Sequence, residues 1–407
     1  MKMGYTWIPS GATPAFLQWH LWIREGRGRR IEYRLDAGSL IHDPIVQAAR
    51  LKEGYTLRRI GPYFHRDTIL GKHCEWWMAS AHHLNAGEGR FAADAGVKML
   101  CDSGGWQIKS GASDYVDPHK VIEVYNACAD AGMALDYPPR RDVDTTSEVF
   151  RILAKIQKGH NGIFLAKRRE GLELINVAHG VTGDQWRSWI EYVNAPAAFQ
   201  GWAISEDSNI DPHCMLRGAA VLYRDFGVRE QRVHLFGISG PLQIPVAAWL
   251  GRYFPNLTSD SSSWQGGRFA SYLYNSHGAL RTLKIGRKDP EVADGDALND
   301  YCQCEFCSVL GNFGAYRAPG AYPALSAHSV IAIQSSVALW NDLATKVGRA
   351  EYEREIRDRF SYPGRKRKMD RPAKIIRQLD YLEEAMAKGP EAADRLMARS
   401  RGLKGAA

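Results

Sequence analysis

From Val97 onward, short apolar runs alternate with longer stretches whose apolar residues recur every three or four positions. The first pattern suits buried strands and the second amphipathic helices. The runs predict strands over residues 97–101, 133–135, 174–178, 201–204 and 233–236, and another leading through Leu257 and Thr258 to Asp260. The predicted helices lie between them. Asp117-Pro118 offers an N-cap and a first-turn proline, followed by Val121, Ile122, Tyr125 and Cys128 at helical spacing. Asp144 or Thr145 can cap the next helix, with Val149, Phe150, Leu153 and Ile156 on one face. Trp186, Trp189, Ile190 and Val193 mark a third helix, and residues 215–223 and 244–250 two more.

Strands that alternate with helices imply a parallel sheet with crossover connections. At least six such units follow one another, and an eight-unit (β/α)8 barrel results if the first units lie before Val97, where the pattern is poorer. A doubly wound open sheet is the rival. The polar residues favour the barrel: Asp102, Asp136, His179, Glu206 and Asp260 each fall at or just after the C-terminal end of a predicted strand. That rim is where barrels build their sites, whereas an open sheet uses only the strands beside a switch point. After Asp260 the alternation stops. Residues 264–286 read as a site loop plus a short strand, residues 325–347 as a long helix, and residues 352–401 as a charged tail, helical in parts.

Composition narrows the class. The chain has 407 residues, 45% hydrophobic and 24% charged, which allows a large core. No apolar run approaches the length of a membrane helix, and residues 1–16 hold no apolar signal core, so the expectation is a cytoplasmic protein without a membrane partner. The net charge of +8 favours a polyanionic partner. Arg365, Lys366, Arg367 and Lys368, with Arg371 and Lys374, are candidate phosphate contacts; a solvated charge run is the alternative.

Four of the seven cysteines, Cys74, Cys101, Cys128 and Cys214, are scattered and read as small buried hydrophobes. Cys302, Cys304 and Cys307 are clustered in C-x-C-x-x-C spacing, and His328 follows near the start of a helix. Three thiols from one loop and an imidazole from a helix suit one structural zinc ion, closed to substrate by its four ligands. Reduced cysteines without metal are the alternative. The expected division is a barrel over residues 1–288 and 324–348, a zinc-binding subdomain over 289–323 and a basic helical extension over 349–407.

Asp102 and Asp260 form the candidate catalytic pair, because chemistry at a glycosidic carbon uses one carboxylate as nucleophile and another to handle protons. An aspartate after a strand also serves as a helix cap or turn former. Asp136 precedes Tyr137-Pro138-Pro139, whose stiff backbone suits holding a carboxylate against the donor edge of guanine. Trp106 offers a flat face for a base or a side chain for the core.

These residues resemble the tRNA-guanine transglycosylase superfamily, and within it the DNA-acting relatives that insert 7-deazaguanines (the DpdA type). Asp102-Ser103-Gly104-Gly105-Trp106-Gln107 is similar to the family's D-S-G-G-F-Q. Asp136 before Pro138-Pro139 matches its second aspartate, Ser259-Asp260-Ser261-Ser262-Ser263 its nucleophile segment, and Cys302, Cys304, Cys307 and His328 its zinc ligands. The resemblance implies a TIM-like barrel with a late zinc-binding insertion and a homodimer. It implies Asp260 as nucleophile, Asp102 as general acid/base, and a base pocket of Ser103, Trp106, Gln107, Asp136, His179, Gly180 and Gly201. Ala178-His179-Gly180 replaces V-Q-G, Ser205-Glu206 replaces a glycine pair, and Trp264-Gln265-Gly266-Gly267-Arg268 replaces the tRNA enzymes' P-T-R. The loss of the tRNA-specific surroundings points to double-stranded DNA as the target, with Arg268 on its backbone, and the resemblance implies a free 7-deazaguanine as incoming base. A tRNA-acting enzyme and a non-catalytic nucleic-acid-binding barrel are the alternatives.

Overall fold

The computed structural model describes residues 4–10, 22–24, 30–32, 73–82, 84, 98–105, 111, 115–139, 148–193, 198–205, 213–264, 271–276, 279–285, 295–317, 322–361 and 370–400. Eight strands share one sheet: β1 (Thr6–Pro9), β4 (Trp76–Ser80), β5 (Lys98–Asp102), β6 (Ala131–Met133), β7 (Glu173–His179), β8 (Gly201–Ser205), β9 (Arg232–Leu235) and β10 (Leu257–Ser261). A small antiparallel hairpin, β2 (Trp22–Arg24) and β3 (Arg30–Glu32), falls between the first two in sequence. The sheet order is β1-β10-β9-β8-β7-β6-β5-β4. From β4 to β10 every strand neighbours its successor and the first strand lies beside the last, so the fold is a nearly closed (β/α)8 barrel. A doubly wound sheet would reverse its order at a switch point, and this order never reverses. Pairing is parallel from β6 through β10, with Ala203, His234 and Thr258 in register across β8, β9 and β10.

Packing divides the chain into two units, Met1–Thr6 with Cys101–Asp260 and Trp340–Ala407, and Trp7–Leu100 with Ser261–Leu339. In the first, five helices follow strands: α1 (Pro118–Cys128), α2 (Glu148–Lys167), α3 (Gly183–Val193), α4 (Cys214–Arg224) and α5 (Ile244–Leu250). The Asp117 carboxylate caps α1, accepting from His119 N–H at 2.9 Å. Strand β6 ends two residues earlier than the pattern predicts. Gly132 lets the Tyr125 ring lie against the strand, where a Cβ would sit 2.3 Å from it. The Tyr125 hydroxyl then donates to the Met133 carbonyl at 2.7 Å. On α2 the predicted face is rotated: Phe150, Ala154, Gln157, Asn161 and Phe164 are buried, while Val149 is 52% exposed. Gln157 and Asn161 turn inward because both donate to Asn176 Oδ1 on β7, at 3.1 and 3.0 Å, which apolar periodicity does not register. The predicted caps Asp144 and Thr145 lie outside the described residues.

Helix α4 is buried from Cys214 to Leu222 without a polar face, as expected of a helix covered on all sides. Its covering comes from the C-terminal helices, α9 (Arg349–Phe360), α10 (Arg371–Lys388) and α11 (Pro390–Ser400): α10 packs on α4 and α5, and α11 on α4. Arg217, the charge on this buried helix, reaches Asp394 of α11 through two hydrogen bonds, at 2.7 and 3.2 Å, and the Val181 carbonyl at 2.6 Å. The tail is therefore fastened to the barrel helices by apolar burial and by paired charges, since Arg187 of α3 also donates to Glu391 of α11 at 2.8 and 3.1 Å. Arg371 at the start of α10 is exposed.

In the second unit the buried Trp264 donates its indole N–H to the Ser10 carbonyl at 2.8 Å and meets Trp77 edge to face. The stretch read as a loop with one short strand contains a two-stranded antiparallel hairpin, β11 (Ser271–Ser276) and β12 (Ala279–Lys284). Helices α6 (Glu305–Leu310), α7 (Phe313–Arg317) and α8 (Tyr322–Lys346) follow. The four scattered cysteines are buried free thiols, as expected. No helix among the described residues is long and apolar enough to cross a membrane.

Candidate functional site

Three aspartates meet where strands of the first unit end. Asp102 is the last residue of β5, Asp136 follows β6 by three residues, and Asp260 is the fourth residue of β10. Asp136 and Asp260 are buried and Asp102 half-buried. Burial, and then the neighbouring charges of Asp136 and Asp260, push the Asp102 carboxyl up to about 7. The backbone N–H groups of Gly104 and Ser103 oppose that rise by donating to it. Gly104 makes this turn with φ +92°, a left-handed conformation that favours glycine. Gly105 is required for another reason: a Cβ there would lie 2.5 Å from the Asp136 carbonyl oxygen and 2.6 Å from its Oδ1. The two glycines of the motif thus bring Asp102 and Asp136 into one site.

Each of the other two carboxylates is held by a histidine. His179, at the end of β7, places Nε2 2.7 Å from Asp136 Oδ2, with its ring edge-on to Trp189. Ser103 Oγ–H reaches Asp136 Oδ1 at 3.4 Å. His234, fully buried in β9, places Nε2 3.2 Å from Asp260 Oδ1 and Nδ1 3.0 Å from Thr258 Oγ1. The Gly237 N–H donates to the same Asp260 oxygen at 3.1 Å. Oδ1 is therefore occupied, and Oδ2 is the oxygen that His234 and Gly237 leave uncommitted.

His234, Thr258 and Gly237 carry no role in the sequence reading. The available signal was an imidazole inside an otherwise apolar strand, but only the register of β9 against β10 aims it at Asp260. Gly180 lies beside His179, where a Cβ would meet the Trp186 backbone at 2.7 Å. Gly201 is placed at the other end of its strand, as the first residue of β8, roughly 13 Å from the strand's end at 3.3 Å per residue. It lets Arg232 approach and belongs to the packing rather than to the carboxylate cluster. Trp106, Gln107, Glu206, Arg268, Arg365, Lys366, Arg367 and Lys368 lie outside the described residues.

In the second unit Cys302, Cys304, Cys307 and His328 form one cluster, with all four ligand atoms within 4.8 Å of one another. Cys304 Sγ is 3.6 Å from Cys307 Sγ and 3.1 Å from His328 Nδ1, and Cys307 Sγ is 3.4 Å from that nitrogen. A tetrahedral ion with metal–sulfur bonds of ~2.3 Å and metal–nitrogen bonds of ~2.0–2.1 Å separates its ligand atoms by ~3.5–3.8 Å. The residues fit such an ion. Hydrogen bonds among the thiols hold Cys302 below the ordinary thiol value and push Cys304 above it. The loop supplies the sulfurs, and His328, fully buried on the second turn of α8, closes the site.

Fold and site define a (β/α)8-barrel protein with a carboxylate cluster at its C-terminal strand ends and a Cys3His group that could hold a metal ion. Scanned against models of known protein families the chain matches none, and no curated protein matches it.

Proposed function

We propose that this chain is a base-exchanging transglycosylase that replaces guanine in double-stranded DNA with a 7-deazaguanine, the cyano form or a derivative of it. The observation that carries the reading is the Asp102 carboxyl raised to about 7 beside Asp260, whose Oδ1 is held by His234 and Gly237. Double displacement needs such a pair, one group able to give and take a proton near neutrality and one oriented nucleophile.

The target guanine is flipped from the stack. Asp260 Oδ2 attacks C1′ as the bond to the base breaks, and the Asp102 carboxyl delivers its proton to the departing guanine. Guanine leaves, and the 7-deazaguanine takes its place. Asp102, now ionised, accepts the proton from the incoming ring nitrogen, which attacks C1′ and expels the Asp260 carboxylate. Two inversions retain configuration. Asp136, held by His179, faces the donor edge of the base. Cys302, Cys304, Cys307 and His328 would hold zinc, the ion their thiolate and imidazole donors suit. With four protein ligands it supplies structure rather than reactivity.

The test supplies labelled guanine or 7-cyano-7-deazaguanine with either duplex DNA or tRNA. The expected result is incorporation into DNA and a covalent protein–DNA adduct that is lost in Asp260→Asn. Incorporation into tRNA alone overturns the choice of substrate. Nucleic-acid binding without incorporation, equal in the two proteins, overturns the enzyme reading in favour of a non-catalytic barrel.

A further inference from the structure

The first unit holds a cavity of about 300 Å³ that none of the three carboxylates lines. Its walls come from α4, α5, α10 and the segment after β9. Leu216, Leu235, Ile238, Val246 and Leu250 make the interior apolar, and all five are buried. Half-buried Gln243 and Lys374 stand at its edge. Gln243 Oε1 accepts from Gly240 N–H at 3.0 Å, which leaves the amide N–H groups to donate.

Lys374 belongs to the basic stretch read from the sequence as a phosphate contact, yet it lines this cavity. Its backbone N–H donates to the Asp370 carbonyl at 3.1 Å, but its ammonium makes no hydrogen bond or ion pair with a described residue. The carboxylates of α10 are engaged elsewhere. Asp370 caps the helix through Ala373 N–H at 3.0 Å, Asp380 pairs with Arg349 at 2.5 Å, and Glu383 accepts from Trp249 Nε1 at 3.0 Å.

An apolar chamber selects an apolar body, and a cationic donor with no anion on it among the described residues selects an anionic acceptor head. The volume is at the lower end of small-molecule sites, which span roughly 300–1,000 Å³. We propose that this cavity binds a small anionic amphiphile, with a carboxylate or phosphate head on Lys374 Nζ and an apolar body along Leu216, Leu235 and Val246. Leu235 and Ile238 bracket Gly237, so the bound body abuts the segment whose N–H holds Asp260.

The test is calorimetric titration of the full chain with decanoate, decyl phosphate and decanol, each kept below its micelle concentration. Saturable one-to-one binding of decanoate or decyl phosphate is expected, at least about tenfold tighter than decanol. Lys374→Met keeps the apolar stem and is expected to weaken both anions about tenfold while leaving decanol unchanged. Ala247→Trp fills the chamber and is expected to abolish binding with an unchanged circular dichroism spectrum. The tighter of the two anions identifies the head group. No saturable binding of either anion, equal affinity for decanol, or unaltered anion affinity in Lys374→Met overturns the proposal.

Discussion

Replacing Asp102 by asparagine removes a charge that the fold resists. Its carboxyl ionises at 3.8 in the unfolded chain and at about 7 in the folded one. Between these values the native state binds the proton and the unfolded state does not, so stability falls as pH rises through that window. Above pH 7 the whole cost is present, about 4 kcal/mol at ~1.36 kcal/mol per pH unit. The partial exposure of Asp102 makes this a ceiling. Asparagine cannot ionise and escapes the cost. Asp102→Asn is therefore expected to be more stable than the parent by up to about 1.5 kcal/mol at pH 5 and about 4 kcal/mol at pH 8. The measurement is urea unfolding of both proteins at the two pH values, followed by circular dichroism. The stability difference should widen between pH 5 and 8, by up to about 2.5 kcal/mol. Parallel pH dependence in the two proteins would refute the claim that burial and the neighbouring aspartates hold Asp102 protonated. A widening that appears only above pH 8 would do the same.

Metal analysis of the purified chain is expected to find one equivalent of zinc. Cys307→Ser should lose it and lower the melting temperature by on the order of 10 °C, because metal binding is coupled to folding; an unchanged melting curve after metal loss would show that the cluster holds nothing together. Arg217→Ala is expected to lower unfolding stability by about 2 kcal/mol, less than the roughly 3–5 kcal/mol of a fully buried pair because Asp394 is open to water. The loss should be the same in Asp394→Ala and should not add in the double mutant. Additive losses would mean that the two residues act separately.

Much of the architecture is legible in the chain. Apolar spacing marks Trp186, Trp189, Ile190 and Val193 as one helix face, and that face is buried. Asp117-Pro118 begins a helix where the pattern predicts one. The α2 face is harder to read, since Gln157 and Asn161 are buried by hydrogen bonds to Asn176 rather than by hydrophobicity. The strands before Val97 are hard to read as well: β1 and β4 are short and far apart in sequence.

By itself the sequence determined what depends on near neighbours: the alternation of strand and helix, the placing of Asp102, Asp136, His179 and Asp260 at strand ends, and three thiols in one short loop. Burial periodicity and loop reach act over a few residues, so they are written locally. The tertiary structure decided what depends on strand register and helix rotation. It set His234 on Asp260, His179 on Asp136, and Gly201 at the far end of its strand. It gathered the charges that lift Asp102, and it turned Lys374 toward a cavity. Those are distances between residues remote in the chain, and only the closing of the sheet and the packing of helices on it give them values.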